Sequence, residues 1–258
     1  MDKKLIVGFI GFGEVGSVLS SKLSENGCDI LSSSKGRSPK TKNLIDSSNV
    51  KDLNSYLDVA KSCDILISSV SPANAIAIAE KYGKYADIFI DLNNISPSTA
   101  KKIANVIDED KFINGSIIGK VNAINSIIYV SGPISEKIAI LNEYGLNIKS
   151  IGNDIEDASI IKVLRSIYTK GISAILIETC EIAKKLDLEK ELFDVIAITE
   201  GKNFELSAKS RIKNSINNSK RKYEELEEIL EFLNTYSFDN KKIDDELLVS
   251  IKNKFKNL

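Results

Sequence analysis

Gly11, Gly13 and Gly16 stand in the spacing G-x-G-x-x-G, within Gly11-Phe12-Gly13-Glu14-Val15-Gly16. The chemistry open to that spacing is the holding of a pyrophosphate. The first glycine permits a tight turn, the second lets the backbone approach a phosphate, and the third lets the next helix pack close to the preceding strand. A helix starting there adds free N–H groups and a partial positive charge. The context fits: the apolar run Leu5 to Ile10 precedes the glycines, and a stretch with helical periodicity, Ser17 to Ser24, follows and ends at Gly27. A second residue with chemical potential is Lys162, which interrupts an apolar helix face between Ile161 and Val163. Burial favours its neutral amine, and Arg165, one turn on, would favour it further, so Lys162 is a candidate general acid or base. Lys170, eight residues on from Lys162, could bind an anionic group or pair with a carboxylate.

Histidine is absent. That excludes Ser-His-Asp and Cys-His catalysis and any His-ligated metal. Proton transfer must fall to Lys, Asp, Glu, Tyr, Ser or Asn. Cys28, Cys63 and Cys180 are odd in number and far apart, which suits small buried residues in a reducing cytosol and no metal site. The net charge is −1 and the basic residues are scattered, so neither nucleic acid nor a membrane surface is an expected partner. No signal peptide and no run of membrane-spanning length is read, and a cytoplasmic location is expected.

The elements that must position these residues read as follows. Strands are expected at Asp29 to Ser33, Asp64 to Val70, Ile88 to Leu92, Phe112 to Val121, Ser126 to Ser131 and Leu146 to Ile151. Helical stretches lie between them, at Leu53 to Ser62, Ala73 to Tyr82 and Ile134 to Tyr144. This alternation predicts an α/β fold with a Rossmann-type, doubly wound parallel sheet over residues 1–153. In such a fold the end of the second strand meets the adenine ribose, where an acidic side chain selects NAD and an Arg accommodates a 2′-phosphate. No acidic residue lies between Ser32 and Ile45. Ser33, Ser34, Lys35, Arg37 and Ser38 are there instead, so NADP is the expected cofactor. Val70 and the turn after Asp91 end two further strands, where ligands bind in such sheets. From residue 154 onward no strand signal recurs. Residues 154–258 are expected to be all-helical, joined to the sheet by a long proline-free helix that is apolar nearly all round. Such a helix has more face to bury than one chain's short helices provide, which predicts a homodimer.

These motifs, in this order, resemble the β-hydroxyacid dehydrogenase superfamily, which includes 3-hydroxyisobutyrate and 6-phosphogluconate dehydrogenases. Residues 8–27 resemble its cofactor signature. Asp91-Leu92-Asn93-Asn94-Ile95-Ser96-Pro97 resembles its D-x-S-T-I-x-P or D-G-G-N-S stretch, and Asn94 matches the Asn that lies between nicotinamide and substrate. Asp157-Ala158-Ser159-Ile160-Ile161-Lys162 places Lys162 at the superfamily's catalytic lysine. The chain is most similar to an uncharacterised NADP-binding branch, whose patterns resemble Lys162 to Gly171 and Lys220 to Leu226.

The chain also departs from the superfamily. Its Ser-Gly-Gly substrate turn is here Ile118-Gly119-Lys120, the Asn four residues after the lysine is Ser166, and the acid seven residues after it is Thr169. The resemblance therefore implies Gly119, Lys120, Arg165 and Ser166 as substrate-side residues, with Lys120 or Arg165 in place of the lost serine. The resulting expectation is an NADP-dependent dehydrogenase or reductase. It would pass a hydride between nicotinamide and a small hydroxy acid, alcohol, ketone or imine, with Lys162 as acid/base and Asn94 beside the substrate. Two alternatives stay open: an imine reductase, and a catalytically silent dinucleotide-binding sensor or partner protein.

Overall fold

A computed structural model describes residues 4–235 and 244–258. Residues up to Lys162 form one unit, and Val163–Leu258 form a second.

The first unit is built in strand–helix alternation. β1 (Ile6–Ile10) leads through the glycine turn into α1 (Glu14–Glu25). β2 (Asp29–Ser32), α2 (Pro39–Asp46), β3 (Lys51–Asp52), α3 (Tyr56–Ser62), β4 (Ile65–Ser68), α4 (Ala75–Tyr82), β5 (Ile88–Asp91) and α5 (Pro97–Ala104) follow. β6 (Phe112–Ile118), β7 (Ile127–Ser131) and β8 (Ile148–Ser150) complete an eight-stranded sheet. Its order is β3-β2-β1-β4-β5-β6-β7-β8, which reverses direction at β1, as doubly wound folds do. The strands alternate between two buried faces. Val7, Phe9, Ile65, Ile67, Ile90 and Ile113 pack with Leu19 and Leu23 of α1. Leu66, Phe89 and Phe112 pack with Val59, Ala79 and Ile103 of α3, α4 and α5. Burial on both faces is why these strands read as continuous apolar runs.

α2, β3 and α5 have no counterpart in the elements expected from sequence, and three other features differ. β6 and β7 pair antiparallel, because residues 119–126 are too few for a crossover helix. β6 stops at Ile118 rather than at Val121, since Gly119 turns left-handed at φ +94°. Ser135–Tyr144 forms 3₁₀ rather than α-helix, ending at left-handed Gly145.

The helical elements are α6 (Asp157–Lys185), α7 (Glu189–Glu200), α8 (Phe204–Asn217), α9 (Ser219–Thr235) and α10 (Glu246–Lys256). With 29 residues, α6 runs about 44 Å; Asp157–Lys162 belong to the first unit and the rest to the second. In the second unit, Ala174 and Ile177 pack with Leu226, Leu230, Leu248 and Phe255 of α9 and α10. Leu176 and Cys180 pack with Phe193 and Ala208 of α7 and α8. The helix is not buried on all sides within one chain. Leu164, Tyr168, Ile172, Ile175 and Ile182 are exposed, Tyr168 by 67%, as is Leu186 just past the helix end. Their steps of three, four and seven residues trace one stripe along α6.

Candidate functional site: the strand ends of the sheet

The glycine turn lies between β1 and α1. Gly11 has φ +88°, and a Cβ there would run into the Ser69 carbonyl; one at Gly16 would run into the Gly11 carbonyl. Ser69 Oγ donates to that same carbonyl at 2.7 Å, which ties the end of β4 to the turn. Gly13 has open space around the position of a Cβ. It caps α1 with no side chain contributing. An open backbone face over an uncapped helix N-terminus is the arrangement that receives a phosphate anion, so the turn fits a dinucleotide. Glu14 and Val15 form the first turn of α1. Phe12 contributes backbone only, since its ring is 1% exposed and meets Phe9 edge-on at 6.3 Å.

The loop after β2 is more tightly organised than its composition indicates. Ser33 is buried, and its hydroxyl donates to the Leu53 carbonyl at 2.8 Å. Ser34 donates its N–H and its hydroxyl to the two carboxylate oxygens of Asp52, at 2.8 and 2.6 Å. A hydroxyl has one proton, so neither serine has one left for an anion in this geometry. Ser38 Oγ caps α2 by accepting the Thr41 N–H at 3.3 Å. Arg37 is exposed, with its guanidinium 5.7 Å from the centre of the Tyr56 ring. The Tyr56 hydroxyl accepts the Gly11 N–H at 3.4 Å, so Tyr56 joins the basic loop to the glycine turn.

Sequence reasoning missed Asp52 and Tyr56. Asp52 sits on a two-residue strand with no periodicity to place it. Tyr56 was open to inference: Ser55 caps the Asp58 N–H at 3.2 Å, a serine-to-acid spacing that marks Tyr56 as the first residue of α3.

At the ends of β4 and β5, Asn93 is almost fully buried. Its Oδ1 accepts the Val70 N–H at 2.5 Å. Its Nδ2 donates to Ser68 Oγ at 2.8 Å and to Asp91 Oδ2 at 2.6 Å. Its own N–H donates to Asp91 Oδ1 at 2.9 Å. Burial pushes the Asp91 carboxyl up to about 7, against the two bonds from Asn93. Asn94 follows in the left-handed region at φ 59° and is exposed, a conformation asparagine tolerates better than most residues. The glycine turn, Val70 and the Asn93–Asn94 turn are thus joined through Ser69 and Asn93.

Gly119 and Lys120 are exposed just beyond β6. The start of α6 is fixed to the sheet by Asn114 and Ser131. Asn114 Nδ2 donates to the Ile155 carbonyl at 2.8 Å and to Ser159 Oγ at 2.9 Å. Ser131 Oγ accepts the Ala158 N–H at 3.0 Å. Lys162 lies three residues after Ser159 and is half-buried.

Arg165 and Ser166 belong to the second unit. Arg165 is exposed, and Ser166 Oγ accepts a hydrogen bond from Lys170 Nζ. Lys170 is 3% exposed and pairs with Glu225 at 2.7 Å, which Arg221 also engages at 2.8 Å. Burial would raise the Glu225 carboxyl, but these two cations hold it below the usual range. Lys170 therefore uses its charge inside its own chain. Among the described residues no group of three metal-ligating side chains occurs, and no helix is long and apolar enough to cross a membrane.

The NAD-binding domain of 6-phosphogluconate dehydrogenase matches as a family over residues 6–114. An uncharacterised 28.5 kDa protein of Methanothermus fervidus is 43% identical over 228 residues, covering 88% of this chain and 90% of that protein. A conserved protein of unknown function, described as structurally similar to 3-hydroxyacid dehydrogenases, superposes with a TM-score of 0.84. It is 38% identical, with 98% of this chain and 96% of that chain covered. A 3-hydroxyisobutyrate dehydrogenase of Mycobacterium tuberculosis, solved with L-serine, shares the fold at a TM-score of 0.79. It is 17% identical, with 99% of this chain and 94% of that chain covered. The glycine turn, the sheet order and these likenesses agree: the chain belongs to the β-hydroxyacid dehydrogenase superfamily.

Proposed function

We propose that the protein is an NADP-dependent oxidoreductase acting on a small polar alcohol, ketone or imine. The observation that carries the reading is the open backbone at Gly13 above the uncapped start of α1. The pyrophosphate would lie there, on the N–H groups of the first turn. Arg37 would take the 2′-phosphate, since its guanidinium is exposed on the ring of Tyr56 while Ser33 and Ser34 spend their protons inside the loop. The carboxylate of Asp52 accepts from Ser34 with both its oxygens, which holds it against the loop.

The cofactor supplies or accepts the hydride when bound. The chain's residues do the rest. Asn94, presented on its left-handed turn, would hydrogen-bond the substrate's polar group. Lys162 would move the accompanying proton on or off the substrate oxygen or nitrogen. Gly119 and Lys120 would form the substrate-side turn in place of a hydroxyl-bearing one, with Arg165 and Ser166 on α6 as further substrate contacts. The exposed stripe from Leu164 to Leu186 supports a homodimer formed through α6, because a helix face of that apolar content is covered in most stable assemblies. The three cysteines are unpaired and buried, which fits a reducing cytoplasm.

The test is calorimetric titration with NADP and with NAD. It is followed by absorbance assays of small 2- and 3-hydroxy acids, aldehydes and cyclic imines with the preferred cofactor. Tighter binding of NADP and turnover of one substrate class are expected. Equal affinities would overturn the cofactor assignment, and binding without turnover of any class would favour a silent dinucleotide sensor.

A further inference from the structure

Ser68, Asp91, Asn114 and Ser131 lie opposite one another on β4, β5, β6 and β7. All four are 0% exposed. Leu66, Phe89 and Phe112, two residues earlier on three of these strands, belong to the cluster under α3, α4 and α5. The two-residue period of a strand therefore puts the polar row on that same face. A row of polar groups in such a place is tolerated only when each group finds a partner.

The two ends of the row are well made. At one end Ser68 and Asp91 hold Asn93, and Asn93 holds the Val70 N–H. At the other end Asn114 and Ser131 hold the Ile155 carbonyl, and Ser131 accepts from Ala158 in the first turn of α6. The middle is where a donor is missing. Asn114 Oδ1 is buried and without a partner. Flipping the amide does not help, because the Ile155 carbonyl is an acceptor and requires Nδ2 on its side. Both oxygens of Asp91 accept from Asn93. The groups facing Asp91 are Ser68 from β4, Asn93 from the turn and Asn114 from β6, and none is charged. The charges at the far end are Glu156 and Lys101, which pair with each other at 2.6 Å. Among the three neighbours of Asp91 a carboxylate anion would meet no cation, and it would leave Asn114 Oδ1 unsatisfied. A carboxylic acid supplies the missing proton.

We propose that Asp91 is held as the neutral acid and donates to Asn114 Oδ1. The hydrogen-bonded row is then continuous from the Asn93–Asn94 turn to the first turn of α6, and Asp91 is the positioning residue for both. Its bearing on activity rests on the reading of Asn94 and Lys162 given above; its protonation does not.

The experiment uses the intact protein labelled with carbon-13 at the aspartate side-chain carboxyl, followed by NMR across pH without ligand. One resonance should remain that of an acid at about pH 6, with a midpoint at or above the value of about 7 that burial sets for Asp91, since a bond donated by the neutral form raises it further. It should vanish in Asp91→Asn; if that variant does not fold, the same resonance is identified as the one displaced in Asn114→Ala. In Asn114→Ala its midpoint should fall by roughly 0.7 pH unit, since the neutral form loses an acceptor bond of about 1 kcal/mol. Asn114→Leu, which keeps the site filled and apolar, separates this from added hydration: loss of the bond lowers the midpoint there too, whereas burial alone raises it. All aspartates titrating in the ordinary range would overturn the proposal, as would a midpoint that rises in Asn114→Ala. The positioning role is read from NADP and adenosine 2′,5′-bisphosphate, which share the adenine half and its 2′-phosphate. The ratio of their affinities should fall several-fold more in the native protein than in Asp91→Asn as pH passes about 7, the variant carrying the same contribution from the bisphosphate's own 5′-phosphate ionisation at about pH 6; an equal fall in both proteins would overturn that role. Failure of both ligands to bind would overturn the cofactor reading instead, because the carboxyl titration is made without either.

Discussion

The Arg37 guanidinium lies 5.7 Å above the Tyr56 ring, and the hydroxyl of that ring reaches the Gly11 N–H. One aromatic side chain thus sets the basic loop against the phosphate turn. A charge-assisted bond from Arg37 to a 2′-phosphate contributes about 1.5–3 kcal/mol. Arg37→Ala should therefore weaken NADP ten-fold or more and leave NAD unchanged in calorimetric titration. An equal loss for both cofactors would mean that Arg37 shapes the loop rather than reading the phosphate.

Tyr56 separates the two roles of that contact. In Tyr56→Leu the platform under Arg37 is lost, and an exposed cation–π contact is worth about 0.5–1 kcal/mol. NADP affinity should fall about two- to five-fold by calorimetry, with NAD moving less. Tyr56→Phe keeps the ring and loses only the long bond to Gly11, so it should stay close to the native protein. A larger effect from Tyr56→Phe than from Tyr56→Leu would assign the work to the hydroxyl.

Lys162 can be tested once a substrate is found. General acid–base catalysis is worth typically about 10²–10⁴-fold. Lys162→Ala should lose turnover on that scale while NADP affinity, set by the glycine turn and Arg37, stays the same. Lys162→Arg should recover little, because a guanidinium does not release its proton near neutral pH. Near-native turnover in Lys162→Ala would remove this residue from the mechanism.

The exposed stripe of α6 makes a prediction about assembly. Tyr168 and Ile175 are 67% and 60% exposed and lie two turns apart on it. Light scattering of the native protein should give twice the chain mass, and the double substitution Tyr168→Glu with Ile175→Glu should give the chain mass. A native protein of single-chain mass at micromolar concentration would leave the stripe without this role.

The fold was legible where burial and periodicity coincide. β1, β4 and β5 are buried on both faces, so their residues form unbroken apolar runs that composition alone reveals. Two helix starts carried a legible signal that apolar periodicity passes over: Ser38-Pro39 and Ser96-Pro97 each place a capping serine before a proline at the first helical position. α2 and α5 are short and polar on their outer faces, which hid them. The polar row across β4 to β7 was not legible. Ser68, Asp91, Asn114 and Ser131 are brought together by strand register, and register is a property of the sheet rather than of any one segment. The same holds for Asp52, which reaches Ser34 only because β3 pairs with β2.

The burial of Asp91 couples stability to pH. Asp91 has an ordinary value of 3.8 and is raised to about 7 in the folded protein, chiefly by burial. Between those values the folded chain keeps a proton that the unfolded chain has released. Stability falls with rising pH wherever the folded state binds more protons. The Asp91 contribution is therefore fully present below the unfolded value of 3.8 and is lost progressively as pH rises through about 7. Urea midpoints measured over that range should show this decline in the native protein. Other titrating groups act in both proteins, so subtracting the midpoints of Asp91→Asn from those of the native protein isolates the effect. The difference should shrink in favour of the variant as pH rises. A difference that stays level between about pH 4 and 8 would show that Asp91 ionises in the folded state as it does in the unfolded one.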